Sequence, residues 1–290
     1  MATPSPLLTL NNGVRMPALG LGVYQSSPEE TVPAVVTALQ DGYRLIDTAA
    51  AYGNEKEVGE GIRRSGVDRD DLFVTTKLWL TEYGHDRALR AFDTSLAKLG
   101  LDRLDLYLLH WPVPSARDET IASYQAAEQL LADGRVRAIG VCNHSPADLT
   151  ALMERTDVVP AVNQVELHPH FVQAELRAFD TRHGIVTQSW SPIGGVNRYS
   201  GGEGVSDPLQ DPAVTSLATK YGKTPAQVVL RWHLEHGLSP IPKSVKAHRI
   251  AENIGVFDFS LTTEEVAAID ALDTGTRGGP DPDQVRLDSF

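Results

Sequence analysis

Asp47, Tyr52, Lys77 and His110 are residues of the kinds that move protons, and all but Tyr52 close a short apolar run. Asp47 ends Arg44-Leu45-Ile46-Asp47, Lys77 ends Phe73-Val74-Thr75-Thr76-Lys77, and His110 ends Leu104-Asp105-Leu106-Tyr107-Leu108-Leu109-His110. Tyr52 follows a short step beyond Asp47. An unperturbed phenol titrates near ~10, too weak an acid to protonate an alkoxide readily at neutral pH. A neighbouring ammonium favours phenolate, so Lys77 would activate Tyr52, and Asp47 would hold Lys77 charged and oriented. His110 can donate a hydrogen bond to a carbonyl and polarise it as negative charge develops. Taken singly, each has an ordinary structural reading: a packed loop tyrosine, a solvated lysine, a capping aspartate, a core histidine. Their joint placement at successive strand ends favours the chemical one.

Side chains so far apart in sequence meet when parallel strands end on one face, as in a closed barrel. The chain has the required alternation. Apolar runs at 19–23, 44–47, 72–77, 104–110, 136–142, 161–166, 185–190 and 238–242 are each followed by a helical stretch, at 29–40, 55–65, 86–99, 120–133, 146–155, 173–182, 225–235 and 247–253. The runs are mostly continuous rather than alternating, as expected of a parallel sheet covered on its outer face. Ahead of them, Asn11-Asn12-Gly13 between two short apolar segments predicts a hairpin plug. Beyond them, Thr262-Thr263-Glu264-Glu265 opens an extra helix over 261–272 with a capping box, followed by a Gly/Pro/Asp-rich tail over 274–290. The glycine-rich stretch 197–204, within a segment 197–208, predicts a loop. The expected fold is an α/β (β/α)8 TIM barrel, one domain over 1–290. A doubly wound sheet is the rival, but Leu19-Gly20-Leu21-Gly22-Val23-Tyr24 lacks the third glycine of a dinucleotide fingerprint and reads as a closely packed strand.

Composition sets the outer limits. With 26 Lys+Arg against 38 Asp+Glu, the net charge of −12 disfavours non-specific attraction to nucleic acid or anionic membrane. The single cysteine, Cys142, excludes an internal disulfide, and no Cys/His cluster has zinc spacing. His168, His170, His233 and His236 read as structural or solvent-exposed, so no metal is expected. The N-terminal stretch lacks the basic start and apolar run of a signal peptide, and no segment reaches membrane-spanning length. These features point to a cytoplasmic enzyme. No interface stripe is evident, so a monomer without an obligate protein partner is expected.

The segment from Gly42 to Glu55, with Leu-Leu-His-Trp-Pro at 108–112, Val-Asn-Gln-Val-Glu-Leu-His-Pro at 162–169 and Ile241-Pro242-Lys243-Ser244, resembles the aldo-keto reductase superfamily. Within it, Gly222-Lys223-Thr224-Pro225-Ala226-Gln227, the 230–234 phrase and Val256-Phe257-Asp258-Phe259 are most like the bacterial 2,5-diketogluconate reductase branch. The resemblance implies NADPH-dependent reduction of aldehydes or ketones, with Asp47, Tyr52, Lys77 and His110 as the catalytic set. It implies that Asn143 and Gln164 grip the nicotinamide carboxamide and that Trp190 stacks on the ring. Cys142 stands where many relatives have serine, and is either a weak contact to the carboxamide or a small buried residue.

The resemblance further implies that Lys243, Ser244, Val245 and Arg249 hold the adenosine 2′-phosphate, with Glu252 and Asn253 meeting adenine. Basic and hydroxyl groups at a helix N-terminus suit an anion. The resemblance also implies that Tyr24, Trp79 and Trp111, with His110, line an apolar substrate pocket whose mouth the short C-terminal loop of that branch would leave open, with the tail over 273–288 a further candidate to shape it. The alternative reading is a nicotinamide-binding sensor or regulatory subunit with little turnover.

Overall fold

The computed structural model describes residues 5–194 and 207–290, so most of the 197–208 segment falls outside the described residues. Strands β1 (Leu7–Thr9) and β2 (Arg15–Pro17) pair antiparallel around the expected turn, where Gly13 takes a φ of 84°. Eight parallel strands follow: β3 (Leu21–Gly22), β4 (Leu45–Asp47), β5 (Phe73–Leu78), β6 (Leu104–Leu109), β7 (Val136–Cys142), β8 (Val162–Glu166), β9 (Val186–Trp190) and β10 (Ser239–Pro240). They lie side by side in sequence order. The sheet closes where Gly20 N–H donates to the Pro240 carbonyl (3.2 Å) and Gly22 N–H to the Pro242 carbonyl (3.1 Å). A Cβ on Gly22 would sit 2.9 Å from the Ile241 carbonyl oxygen. The Gly20-Leu21-Gly22 pair of glycines thus serves the barrel seam. β10 stops short of the expected run because Pro240 and Pro242 offer no N–H to a ladder.

Around the barrel stand α1 (Pro28–Gln40), α2 (Glu55–Ser65), α3 (His85–Leu99), α4 (Arg117–Ala132), α5 (Pro146–Met153), α6 (Ala174–Arg182), α7 (Pro212–Tyr221), α8 (Pro225–Glu235), α9 (Ala247–Ile254) and α10 (Thr263–Asp270). α10 carries the expected capping box, Thr262 with Glu265. α7 was not anticipated. Its signals are Pro212 in the first turn and a left-handed Gly222 at the end, but its buried face is only Val214 and Ala218, too thin to register as a periodic pattern.

Alternation along the strands separates two cores. Leu45, Phe73, Leu106, Leu108, Ala138, Cys142 and Val162 fill the barrel interior with Leu10 and Met16 of the hairpin, whereas the larger cluster lies between strands and helices. Asp47, Lys77, Gln164 and Gln188 share the strand parity of the interior set, above this apolar floor.

One buried carboxylate is set for pH dependence. Asp180 of α6 accepts from Thr187 Oγ1 (2.8 Å), but its Oδ1 is buried without a donor, as is Oδ1 of neighbouring Asn163. Burial raises its pKa from 3.8 to about 7, against the pull of the hydrogen bond from Thr187. An unfolded aspartate releases its proton near 3.8 while folded Asp180 holds it to about 7. The folded state therefore binds more protons in this window, and stability falls as pH rises through it. Asp180→Asn, which cannot ionise, is expected to be about 1–3 kcal/mol more stable than wild type at pH 8 and no more stable near pH 4, by urea unfolding. Parallel pH curves for the two proteins would refute this.

Candidate active site

The C-terminal ends of β4, β5 and β6 bring the four proton-handling residues together. Lys77 Nζ lies 2.5 Å from Asp47 Oδ1, 3.0 Å from the Thr48 carbonyl and 3.3 Å from the Tyr52 hydroxyl. Tyr52 closes a single 3-10 turn (Ala50–Tyr52) that follows β4, and Gly53 ends that turn with a φ of 69°. Asn54 fixes the loop: its Oδ1 accepts from Thr48 Oγ1 (3.0 Å) and its Nδ2 donates to the Val23 carbonyl (2.9 Å). The rings of Tyr52 and His110 are 5.7 Å apart, edge to face.

Both partners of the Lys77–Asp47 pair are buried, with side-chain exposures of 0 % and 2 %. Burial works against the charge on Lys77, but Asp47 and Tyr52 more than offset it and hold its pKa above the usual lysine value. Burial also lifts Asp47, while Lys77 and Gln164 pull it back. The contact of 2.5 Å, with a carbonyl completing the ammonium's shell, holds the pair charged. Tyr52 departs from the sequence expectation: burial pushes its pKa up to about 12, and Lys77 pulls it down without overcoming that rise. The phenol therefore stays protonated at neutral pH. Burial, with the Lys77 charge, holds His110 well below the ordinary histidine value, so its ring is neutral.

Behind this group lie the residues assigned to a nicotinamide. Gln164 Nε2 donates to Asp47 Oδ2 (2.8 Å), tying it to the ion pair. Asn143, just past β7, adopts a φ of 61°, a left-handed conformation that asparagine tolerates. Its Nδ2 donates to the His110 carbonyl (3.1 Å) and its Oδ1 accepts from Trp190 Nε1 (2.9 Å). Cys142 points into the barrel and is 1 % exposed, and burial raises its thiol pKa far above the usual value, so it is a neutral packing group here.

At the far end, Lys243 and Arg249 flank the start of α9 and make no ion pair among the described residues, with Arg249 exposed. Ser244 is buried and accepts from the Lys246 N–H (3.2 Å); Asn253 is also buried, while Val245 and Glu252 are partly exposed.

Tyr24 packs on the Tyr52 ring, and Trp79 and Trp111 pack on the His110 ring. Tyr24 packs 5.0 Å from Tyr52, Trp79 lies 5.1 Å from His110, and Trp111 stacks on His110 at 6.4 Å. The mouth is less open than the sequence suggested. The tail carries Phe290 onto Trp79 (5.7 Å) and Trp111 (5.8 Å), and Phe290 is 74 % exposed. That placement comes from Glu166, the buried end of β8, whose carboxylate accepts from the N–H groups of Gly278 (2.6 Å) and Gly279 (2.8 Å). A Cβ on Gly279 would meet Trp190 Cη2 at 2.5 Å, so the tail packs directly on that ring.

Sequence reasoning missed Phe290, Glu166 and the two glycines. The only signals were a lone aromatic in a polar tail and a carboxylate ending the Val-Asn-Gln-Val-Glu strand. The histidines read as structural are hydrogen-bonded: His233 to Ser189 and the Pro192 carbonyl, His236 to Asp270, His168 to Glu166 and His170 to Asp211. No cluster able to hold a metal occurs among the described residues.

Residues 17–274 match the aldo/keto reductase family. The chain is 57 % identical to a morphine 6-dehydrogenase of Pseudomonas putida, over 100 % of this chain and 99 % of that protein. It is 49 % identical to the methylglyoxal reductase DkgA of Escherichia coli K12, over 98 % and 99 %. A Bombyx mori aldo-keto reductase solved in complex with NADP superposes with a TM-score of 0.90, at 39 % identity over 96 % of each chain.

Proposed function

The chain belongs to the aldo/keto reductase family, and on that premise we propose that it reduces aldehydes and ketones to alcohols with NADPH, Tyr52 delivering the proton. The observation that carries this reading is the contact chain Asp47–Lys77–Tyr52 beside a neutral His110, set among aromatic walls. When bound, NADPH supplies the hydride. The chain's own groups fit such a cofactor: the amides of Asn143 and Gln164, the Trp190 ring and, at the start of α9, the cations of Lys243 and Arg249, which make no ion pair among the described residues.

His110, being neutral, can present a ring N–H to the substrate oxygen without delivering full charge to it. Tyr52 O–H gives its proton to the same oxygen as negative charge grows there. Lys77, 3.3 Å away, then stabilises the phenolate left behind. Asp47 prevents Lys77 from losing its own proton in a buried setting. Trp79, Trp111 and Phe290 exclude water from the reacting oxygen and offer flat apolar faces.

Those faces favour aromatic aldehydes and ketones. The likeness to a methylglyoxal reductase supports dicarbonyls and that to a morphine 6-dehydrogenase supports ring ketones in the same pocket, and keto-sugars complete the proposed range. We place the protein in the cytoplasm as a monomer; no described helix is long and apolar enough to cross a membrane. The test is NADPH oxidation, followed by absorbance, against methylglyoxal, phenylglyoxal, 2,5-diketogluconate, benzaldehydes and a polycyclic ketone. Tight NADPH binding with no turnover on any of them would replace the reductase by a cofactor sensor.

Preference for NADPH is assigned to Lys243 and Arg249, with Ser244 and Val245 beside them and Glu252 and Asn253 toward adenine. Each charge-assisted hydrogen bond contributes about 1.5–3 kcal/mol before exposure to solvent reduces it. Lys243→Ala with Arg249→Ala is therefore expected to weaken NADPH about 100-fold and NADH less than about 3-fold, by fluorescence titration. Equal weakening of the two cofactors would sink the assignment.

A further inference from the structure

We infer that Gln188, which makes no hydrogen bond to the proton-handling group among the described residues, is a positioning residue that fixes which end of the Gln164 amide faces the cofactor. The inference rests on the NADPH reading above. Gln164, Gln188 and Ser239 occupy one registered row across β8, β9 and β10, Gln164 opposite Gln188 and Gln188 opposite Ser239. All three are buried inside the barrel. Gln164 Nε2 donates to Asp47 Oδ2 at 2.8 Å and to Gln188 Oε1 at 2.7 Å. Gln188 Nε2 in turn donates to Ser239 Oγ at 3.1 Å.

A primary amide has two N–H donors and one carbonyl acceptor. Asp47 takes one donor of Gln164 and Gln188 takes the other, so the free group is the carbonyl oxygen, which receives no hydrogen bond from the described residues. Rotating the amide by half a turn would set that oxygen against a carboxylate and a second carbonyl, both acceptors. Asp47 alone would leave one N–H uncommitted; Gln188 removes that freedom, and Ser239 holds Gln188 in the matching orientation. The site is thereby specified as an acceptor, complementary to the NH2 of a nicotinamide carboxamide.

A site built around one hydrogen bond discriminates against a ligand that lacks the partner group. The probe pair is NADP+ and its 3-acetylpyridine analogue, in which methyl replaces NH2, with binding read by quenching of tryptophan fluorescence. Wild type is expected to prefer NADP+ by about 10-fold. Gln188→Met, similar in shape but without the acceptor, should reduce that preference to about 2-fold, chiefly through weaker NADP+ binding. Gln188→Glu, which keeps an acceptor oxygen toward Gln164, should restore it. Ser239→Ala, which only frees Gln188, should give an intermediate loss and serves if the methionine variant does not fold. A preference unchanged in Gln188→Met, or lost equally in Gln188→Glu, overturns the inference while leaving the reductase reading intact. Failure of wild type to bind NADP+ at all overturns that reading instead.

Discussion

Tyr52→Phe is expected to lower kcat by about 10³-fold while leaving the Kd for NADPH within about 2-fold of wild type. The substitution removes one oxygen and little else. The ring still packs 5.0 Å from Tyr24 and 5.7 Å from His110, and Lys77 still lies 5.0 Å from its centroid. The lost atom is the one placed 3.3 Å from the Lys77 ammonium. With a pKa near 12 the phenol is fully protonated at neutral pH, so the wild-type donor is always loaded. The advantage of Lys77 lies in stabilising the phenolate as it forms, not in creating it beforehand.

His110 is the nearest replacement, but its neutral ring is a weak acid and sits where it polarises the carbonyl. The residual rate should therefore reflect binding and polarisation alone. Single-turnover NADPH oxidation, with binding measured separately, checks this. A variant that keeps more than a tenth of wild-type turnover would show that another group carries the proton.

How far the sequence foretold this arrangement depends on the range of each signal. The eight strands were legible because most are runs dominated by apolar residues, and the ends of β4, β5 and β6 fall within one residue of Asp47, Lys77 and His110. α10 was legible because a capping box is a local pattern of four residues. α7 was not, since only Val214 and Ala218 face inward. The same limit hid the site's long-range contacts. Glu166 meets Gly278 and Gly279 across more than a hundred residues, and Phe290 reaches Trp79 and Trp111 by a path no periodicity describes. The sign of the Tyr52 shift was missed for a related reason: an ammonium neighbour can be read from spacing, but the depth of burial that outweighs it cannot. The Gln164–Gln188–Ser239 row required strand register, which becomes visible only once the barrel is closed.

Lys77→Met is expected to abolish activity to the same extent as Tyr52→Phe and, unlike it, to destabilise the fold by about 3–5 kcal/mol. The difference follows from what remains. Methionine fills most of the lysine's volume, but Asp47 is left buried with its ammonium gone and only Gln164 still donating to its carboxylate. Removing one member of a buried pair leaves an uncompensated charge, whereas removing both can be nearly neutral. Adding Asp47→Asn to Lys77→Met should therefore recover about 2 kcal/mol or more of the lost stability while activity stays absent. Urea unfolding of the four proteins of this cycle separates charge from packing.

pH supplies an independent check on the sign. In the single variant, burial raises the Asp47 pKa with no ammonium to lower it, so folding takes up a proton and stability increases as pH falls toward the carboxylate range. The double variant has no such carboxylate and should lack that increase. If instead the two variants are equally unstable at every pH, the cost lies in packing around the methionine, and the buried ion pair is not what holds Asp47 and Tyr52 in register.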